Sequence, residues 1–83
     1  MKVIKFQASW CQPCKMLSHV VEGAKDKITT PIEEIDIDEN MEMARTFNVR
    51  GVPTMVVVGD DGKVIRTRSG YMNESQLLEF VNG

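Results

Sequence analysis

The sequence predicts an α/β fold of the order β-α-β-α-β-β-α, with a four-stranded mixed sheet carrying helices on both faces. Three observations predict it. A β-branched opening run passes through a turn into a segment whose apolar residues recur at helical spacing. A second β-branched run follows, and strand–helix–strand order implies parallel pairing through a right-handed crossover. Further on, the near-continuous apolar run Thr54 to Val58 meets a Gly-Asp-Asp-Gly turn, as expected of a strand covered on both faces that enters an antiparallel hairpin.

Val3 to Ala8 forms the first strand, with Val3 and Ile4 β-branched. Ser9 to Gln12 is a turn, and Pro13 suits a first helical turn, where a missing N–H costs nothing. Leu17, Val20, Val21, Ala24 and Ile28 then keep helical spacing, which predicts a helix from about Cys11 or Pro13 to Lys25. Thr29-Thr30-Pro31 breaks the pattern. Ile32, Ile35 and Ile37 lie in a second strand that ends at Asp38, and Asn40 is placed to cap a short helix with Met41, Ala44 and Phe47. After the Gly51-Val52-Pro53 loop come the Thr54–Val58 strand, the Gly59–Gly62 turn and a strand from Lys63 to Ser69. Asn73 or Ser75 can cap the last helix, whose apolar face is Leu77, Leu78, Phe80 and Val81.

Eighty-three residues are expected to form a single domain, residues 1–83, because a chain this short buries only about 60% of its unfolded surface. A composition 42% hydrophobic and 27% charged is that of a globule rather than a disordered tail. The net charge of −2 leaves no basic stripe for nucleic acid. The longest apolar run, Met55 to Val58, is far too short for a membrane span, and no signal-peptide pattern is visible, so a cytoplasmic monomer is expected.

The only two cysteines, Cys11 and Cys14, are three positions apart, in an expected compartment that is reducing. As a staple the pair would contribute little: about 2 kcal/mol in the chain-entropy model, against ~4–5 for a loop of about a hundred residues. A working dithiol fits better. Cys11 lies where a strand turns into a helix, and free backbone N–H groups with the helix dipole favour a thiolate there. Cys14 is one turn on, within disulfide reach, so one thiol can attack a foreign disulfide and the other can release it. Incidental cysteines, or half of a metal site shared between chains, are the alternatives. A four-cysteine zinc site needs two more than the chain has.

Trp10-Cys11-Gln12-Pro13-Cys14-Lys15-Met16, Asp36-Ile37-Asp38, Val49-Arg50-Gly51-Val52-Pro53-Thr54 and Gly70 resemble the thioredoxin family in order and spacing. The resemblance spans essentially the whole chain. It implies a thioredoxin-like fold and a protein-disulfide reductase with no bound cofactor, in which Cys11 attacks and Cys14 resolves. It implies that Trp10 shields the pair and meets substrate. Pro53 is implied to be cis, Val52 to offer its backbone to an extended substrate, and Gly70 to leave room for it. The implied partners are an NADPH-dependent flavoprotein reductase of the thioredoxin reductase type and disulfide-bearing proteins such as ribonucleotide reductase. A glutaredoxin-like, glutathione-dependent protein and a redox-idle binding subunit are the alternative functions; a copper carrier ranks last, because its usual order ends in a strand.

Four departures from the family pattern stand out. The chain is truncated, starting at the strand before the motif, where ordinary members have a further strand and helix; this leaves an edge strand open. Gln12 stands in place of a glycine. His19 stands in place of a helix-kinking proline, which predicts a straight helix. Finally, Lys5 occupies the position of a buried acid and Glu34 that of its lysine partner. Either Lys5 snorkels to water, or the two form a partly buried pair behind Cys14, where the cation favours the thiolate and Glu34 accepts its proton.

Overall fold

The computed structural model describes residues 1–83. Its elements are β1 (Lys2–Gln7), α1 (Gln12–Gly23), β2 (Ile32–Asp36), α2 (Met41–Thr46), β3 (Thr54–Val58), β4 (Val64–Ser69) and α3 (Glu74–Asn82), with a single 3₁₀ turn at Lys25–Lys27 after α1. The sheet order is β2-β1-β3-β4. β1 pairs with β2 in parallel and with β3 antiparallel, and β3 pairs antiparallel with β4. The expected order and mixed sheet are therefore the observed ones, and β2 and β4 are its edges.

Alternation along β1 and β3 divides the interior in two, because successive side chains leave a strand on opposite faces. Val3, Met55 and Val57 pack under α1 and α3 with Leu17, Ala24, Leu77, Phe80 and Val81. Ile4, Phe6, Val56 and Val58 face α2, where Met43, Ala44 and Phe47 cover them. All five residues of β3 are buried, which is why that strand shows no polar alternation.

Several ends differ from expectation, each for a local reason. β2 stops at Asp36 rather than Asp38, because the Asp36 carboxylate accepts the Asp38 amide at 2.8 Å and turns the chain. Asn40 occupies the cap position of α2 but makes no side-chain cap; its amide instead donates to the Asp36 carbonyl at 3.3 Å. Asn73, not Ser75, caps α3, through a reciprocal pair of bonds with Gln76. α1 runs without interruption past His19, which is exposed.

Candidate active site

The turn between β1 and α1 delivers the two cysteines. Cys11 is the N-cap of α1, Gln12 and Pro13 occupy its first turn with their side chains exposed, and Cys14 follows. The cysteines form a disulfide with Cα atoms 5.2 Å apart, inside the usual range. The Cys14 amide points at Cys11 Sγ from 3.2 Å, so an unpaired N–H of the helix start meets the first sulfur. Exposure barely separates the two in this oxidised state, at 4% for Cys11 and 2% for Cys14. Their surroundings separate them. Cys11 Sγ lies 3.6 Å from the Val52 carbonyl oxygen, whereas Cys14 borders a cleft of about 200 Å³ shared with Gln7, Ser18 and Asp36. Ala8, Ile37 and Val52 complete an apolar collar around the pair.

The Val52-Pro53 peptide is cis, Pro53 is buried and Val52 half-buried. Thr54, itself buried, secures this loop by donating to the Gly51 carbonyl at 2.6 Å. The Val52 N–H makes no backbone hydrogen bond. Gly70 ends β4 beside it, its amide donating to the Pro53 carbonyl at 2.8 Å. Its φ of +94° is the reason for glycine, since a Cβ there would meet nothing within 4 Å. Trp10 is 66% exposed on the same rim, and its indole N–H donates to Asp38 Oδ2 at 2.9 Å. Thus Cys11, next to Trp10 in the chain, meets Val52, and Gly70 meets Pro53, so the dithiol turn adjoins the cis-proline loop.

Lys5 reaches Gln7 and Ser18, two of the residues that line the cleft of Cys14. Its side chain is 1% exposed and does not snorkel to water. The ammonium has three donors and finds three acceptors: Gln7 Oε1, Ser18 Oγ at 2.6 Å and Glu34 Oε2 at 3.3 Å. Burial pushes Lys5 below the usual lysine range, while the charge and hydrogen bond of Glu34 pull it back in part. Glu34 itself is 56% exposed and lines a second cleft with Lys5, Ser18, Val21, Glu22 and Ile32, away from the cysteines. The two charged residues therefore meet, and Lys5 alone also reaches Ser18, which borders the cleft of Cys14. Sequence reasoning missed two contributors here. Asp38 had a signal, the Asp36-Ile37-Asp38 motif, without an assigned partner; Ser18 had only its place four residues after Cys14.

An oxidised dithiol capping a helix, beside a cis proline and a backbone N–H without a backbone partner, is fitted to exchange with an extended disulfide-bearing chain. Comparison with known proteins agrees. The thioredoxin family model matches residues 1–83. The chain is 38% identical over 79 residues to thioredoxin of Bacillus subtilis, covering 93% of this chain and 75% of that protein. It is 35% identical over 82 residues to thioredoxin of Pseudomonas aeruginosa, covering 96% and 75% respectively. Among solved structures, a point mutant of thioredoxin from Halobacterium salinarum superposes with a TM-score of 0.87 at 36% identity, over 96% of this chain and 70% of that one. Fasciola hepatica thioredoxin gives 0.83 at 36% identity, over 96% and 76%. The chain belongs to the thioredoxin family and is a thiol–disulfide oxidoreductase.

Proposed function

We propose that residues 1–83 act as a single reductase domain for protein disulfides, in which Cys11 attacks and Cys14 resolves. The Cys11 thiolate attacks a substrate disulfide, forming a mixed disulfide and expelling the first substrate thiolate. Cys14, once deprotonated, attacks Cys11 Sγ, re-forms the Cys11–Cys14 bond and expels the second. The observation that carries this assignment is the placement of Cys11 Sγ at both the free amide of the helix start and the Val52 carbonyl.

Substrate binds across Trp10, Val52, Pro53 and Gly70 as an added strand, supported by a Val52 N–H without a backbone partner. Gln12 and Pro13 set the helix start. Lys5 favours the thiolate of Cys14. Glu34, half-exposed and 3.3 Å from the Lys5 ammonium, serves as its counter-ion rather than as direct proton acceptor. Family membership implies disulfide-bearing substrates and a reductase partner in general. Within that class we assign an NADPH-dependent flavoprotein reductase as electron donor and ribonucleotide reductase as one acceptor, for a cytoplasmic monomer. No helix is long and apolar enough to cross a membrane.

Dithiothreitol-driven reduction of insulin tests the assignment. The wild type accelerates it, Cys11→Ser abolishes it, and Cys14→Ser retains one half-reaction and accumulates a mixed disulfide on Cys11. Full turnover by Cys11→Ser would overturn the roles.

A further inference from the structure

Lys5 and Cys14 line different clefts, and one side chain of α1 belongs to both. Ser18 borders the cleft of Lys5 and Glu34, and also the cleft of Cys14. Four residues after Cys14 on a continuous helix, it lies on the same helical face one turn along. Its oxygen accepts a hydrogen bond from the Lys5 ammonium at 2.6 Å. A hydroxyl that accepts on its oxygen still has its own hydrogen to donate, and rotates to aim it.

We infer that Ser18 is the positioning residue that links the buried Lys5 cation to Cys14, its hydroxyl donating to the Cys14 sulfur as that becomes a thiolate. The inference rests on the role proposed for Lys5 above. In the resolving step Cys14 gives its proton to solvent in the open cleft. Its sulfur then forms a bond to Cys11 Sγ, and the Cys11–substrate bond breaks with its electron pair on the departing thiolate. Ser18 neither gains nor loses a proton overall. A hydroxyl polarised by an ammonium is a stronger donor than one hydrogen-bonded to water, because hydrogen bonds in a chain reinforce one another. Its contribution rises as charge develops on sulfur. The arrangement also gives the buried Lys5 ammonium a route to the thiol through a side chain that borders both clefts. With Gln7 and Glu34 taking the other two protons, Ser18 is the one acceptor on the helix that bears Cys14.

The test follows the thiolate of Cys14 in a Cys11→Ala background by its ultraviolet absorbance as a function of pH, in the full chain. The other ionisable groups lining the two clefts are Lys15 and Glu22 from α1 and Glu34 and Asp36 from β2; Met55, opposite Lys5 on β3, does not titrate. Ser18→Ala is expected to move the midpoint up by about one pH unit, a tenfold loss of thiolate at a given pH. Ser18→Thr, which keeps the hydroxyl and guards against a folding artefact, restores it. In a Lys5→Met background Ser18→Ala should add little, since the two act as a unit. A shift with Lys5→Met and none with Ser18→Ala overturns the link through Ser18 and leaves the role of Lys5 standing. No shift with Lys5→Met overturns both. Equal effects of Ser18→Ala with and without Lys5 overturn the coupling.

Discussion

The indole N–H of Trp10 and the carboxylate of Asp38, 28 positions apart, are joined by a 2.9 Å hydrogen bond that ties the dithiol turn to the turn after β2. The bond fixes the face that a large exposed ring presents to substrate, and the ring's apolar surface is left free for contact. Asp38→Ala should release the ring and lower kcat/KM for insulin reduction by about 3- to 10-fold, the equivalent of one ordinary net hydrogen bond of about 1 kcal/mol. Trp10 fluorescence should become more quenchable by acrylamide, and unchanged quenching would show that the bond does not restrain the ring.

Lys5 reverses the usual relation between stability and function. A buried ion pair is often no better than a well-packed apolar residue of similar volume, and its partner Glu34 is half-exposed and tolerates being left alone. Lys5→Met in the oxidised protein is therefore expected to gain about 1–3 kcal/mol in denaturant unfolding at neutral pH. The same variant should slow resolution of a mixed disulfide on Cys11, because the cation bonded to Ser18 at the cleft of Cys14 is gone.

The pH dependence has a definite sign. Burial holds Lys5 below its ordinary value of 10.5, so between the lowered value and 10.5 the unfolded chain binds a proton that the folded chain has lost. Stability contributed by this group therefore rises with pH across that window and is flat below it. Subtracting the Lys5→Met unfolding profile from that of the wild type isolates this slope. A difference that falls with pH would mean the ammonium is stabilised, not penalised, by its site.

Gly70→Ala separates backbone from space. No atom obstructs a Cβ there, but φ of +94° is unfavourable for alanine, so a loss of about 1–2 kcal/mol is expected on thermal unfolding. The added methyl should also weaken binding of an extended peptide beside Pro53, seen as a raised KM.

Phe6→Ala removes a fully buried ring that meets Phe47 with centroids 5.7 Å apart and links β1 to the α2 face. A cost of about 3–5 kcal/mol is expected, a large share of the ~5–15 kcal/mol total of a small domain. By contrast Asn73→Ala, which breaks the α3 capping box, should cost about 1 kcal/mol by calorimetry and leave insulin reduction unchanged.

Much of this protein is written locally. Pro13 and the helical spacing from Leu17 place Cys11 at a helix start, because both depend on residues within a few positions of one another. The unbroken apolar run of β3 and the Gly59–Gly62 turn determine a covered strand and its hairpin in the same way. The dithiol, its strand–helix setting and the order of elements follow from the sequence alone. Tertiary structure decided what surrounds the dithiol. Cys11 Sγ meets the carbonyl of Val52 across 41 positions, and Lys5 reaches Glu34 across 29. Such contacts depend on strand register and on which face each side chain leaves, and a shift of one residue would send Lys5 to the α2 side. Periodicity left open whether that lysine reached water. Only the assembled sheet, with α1 laid over it, encloses the ammonium among Gln7, Ser18 and Glu34.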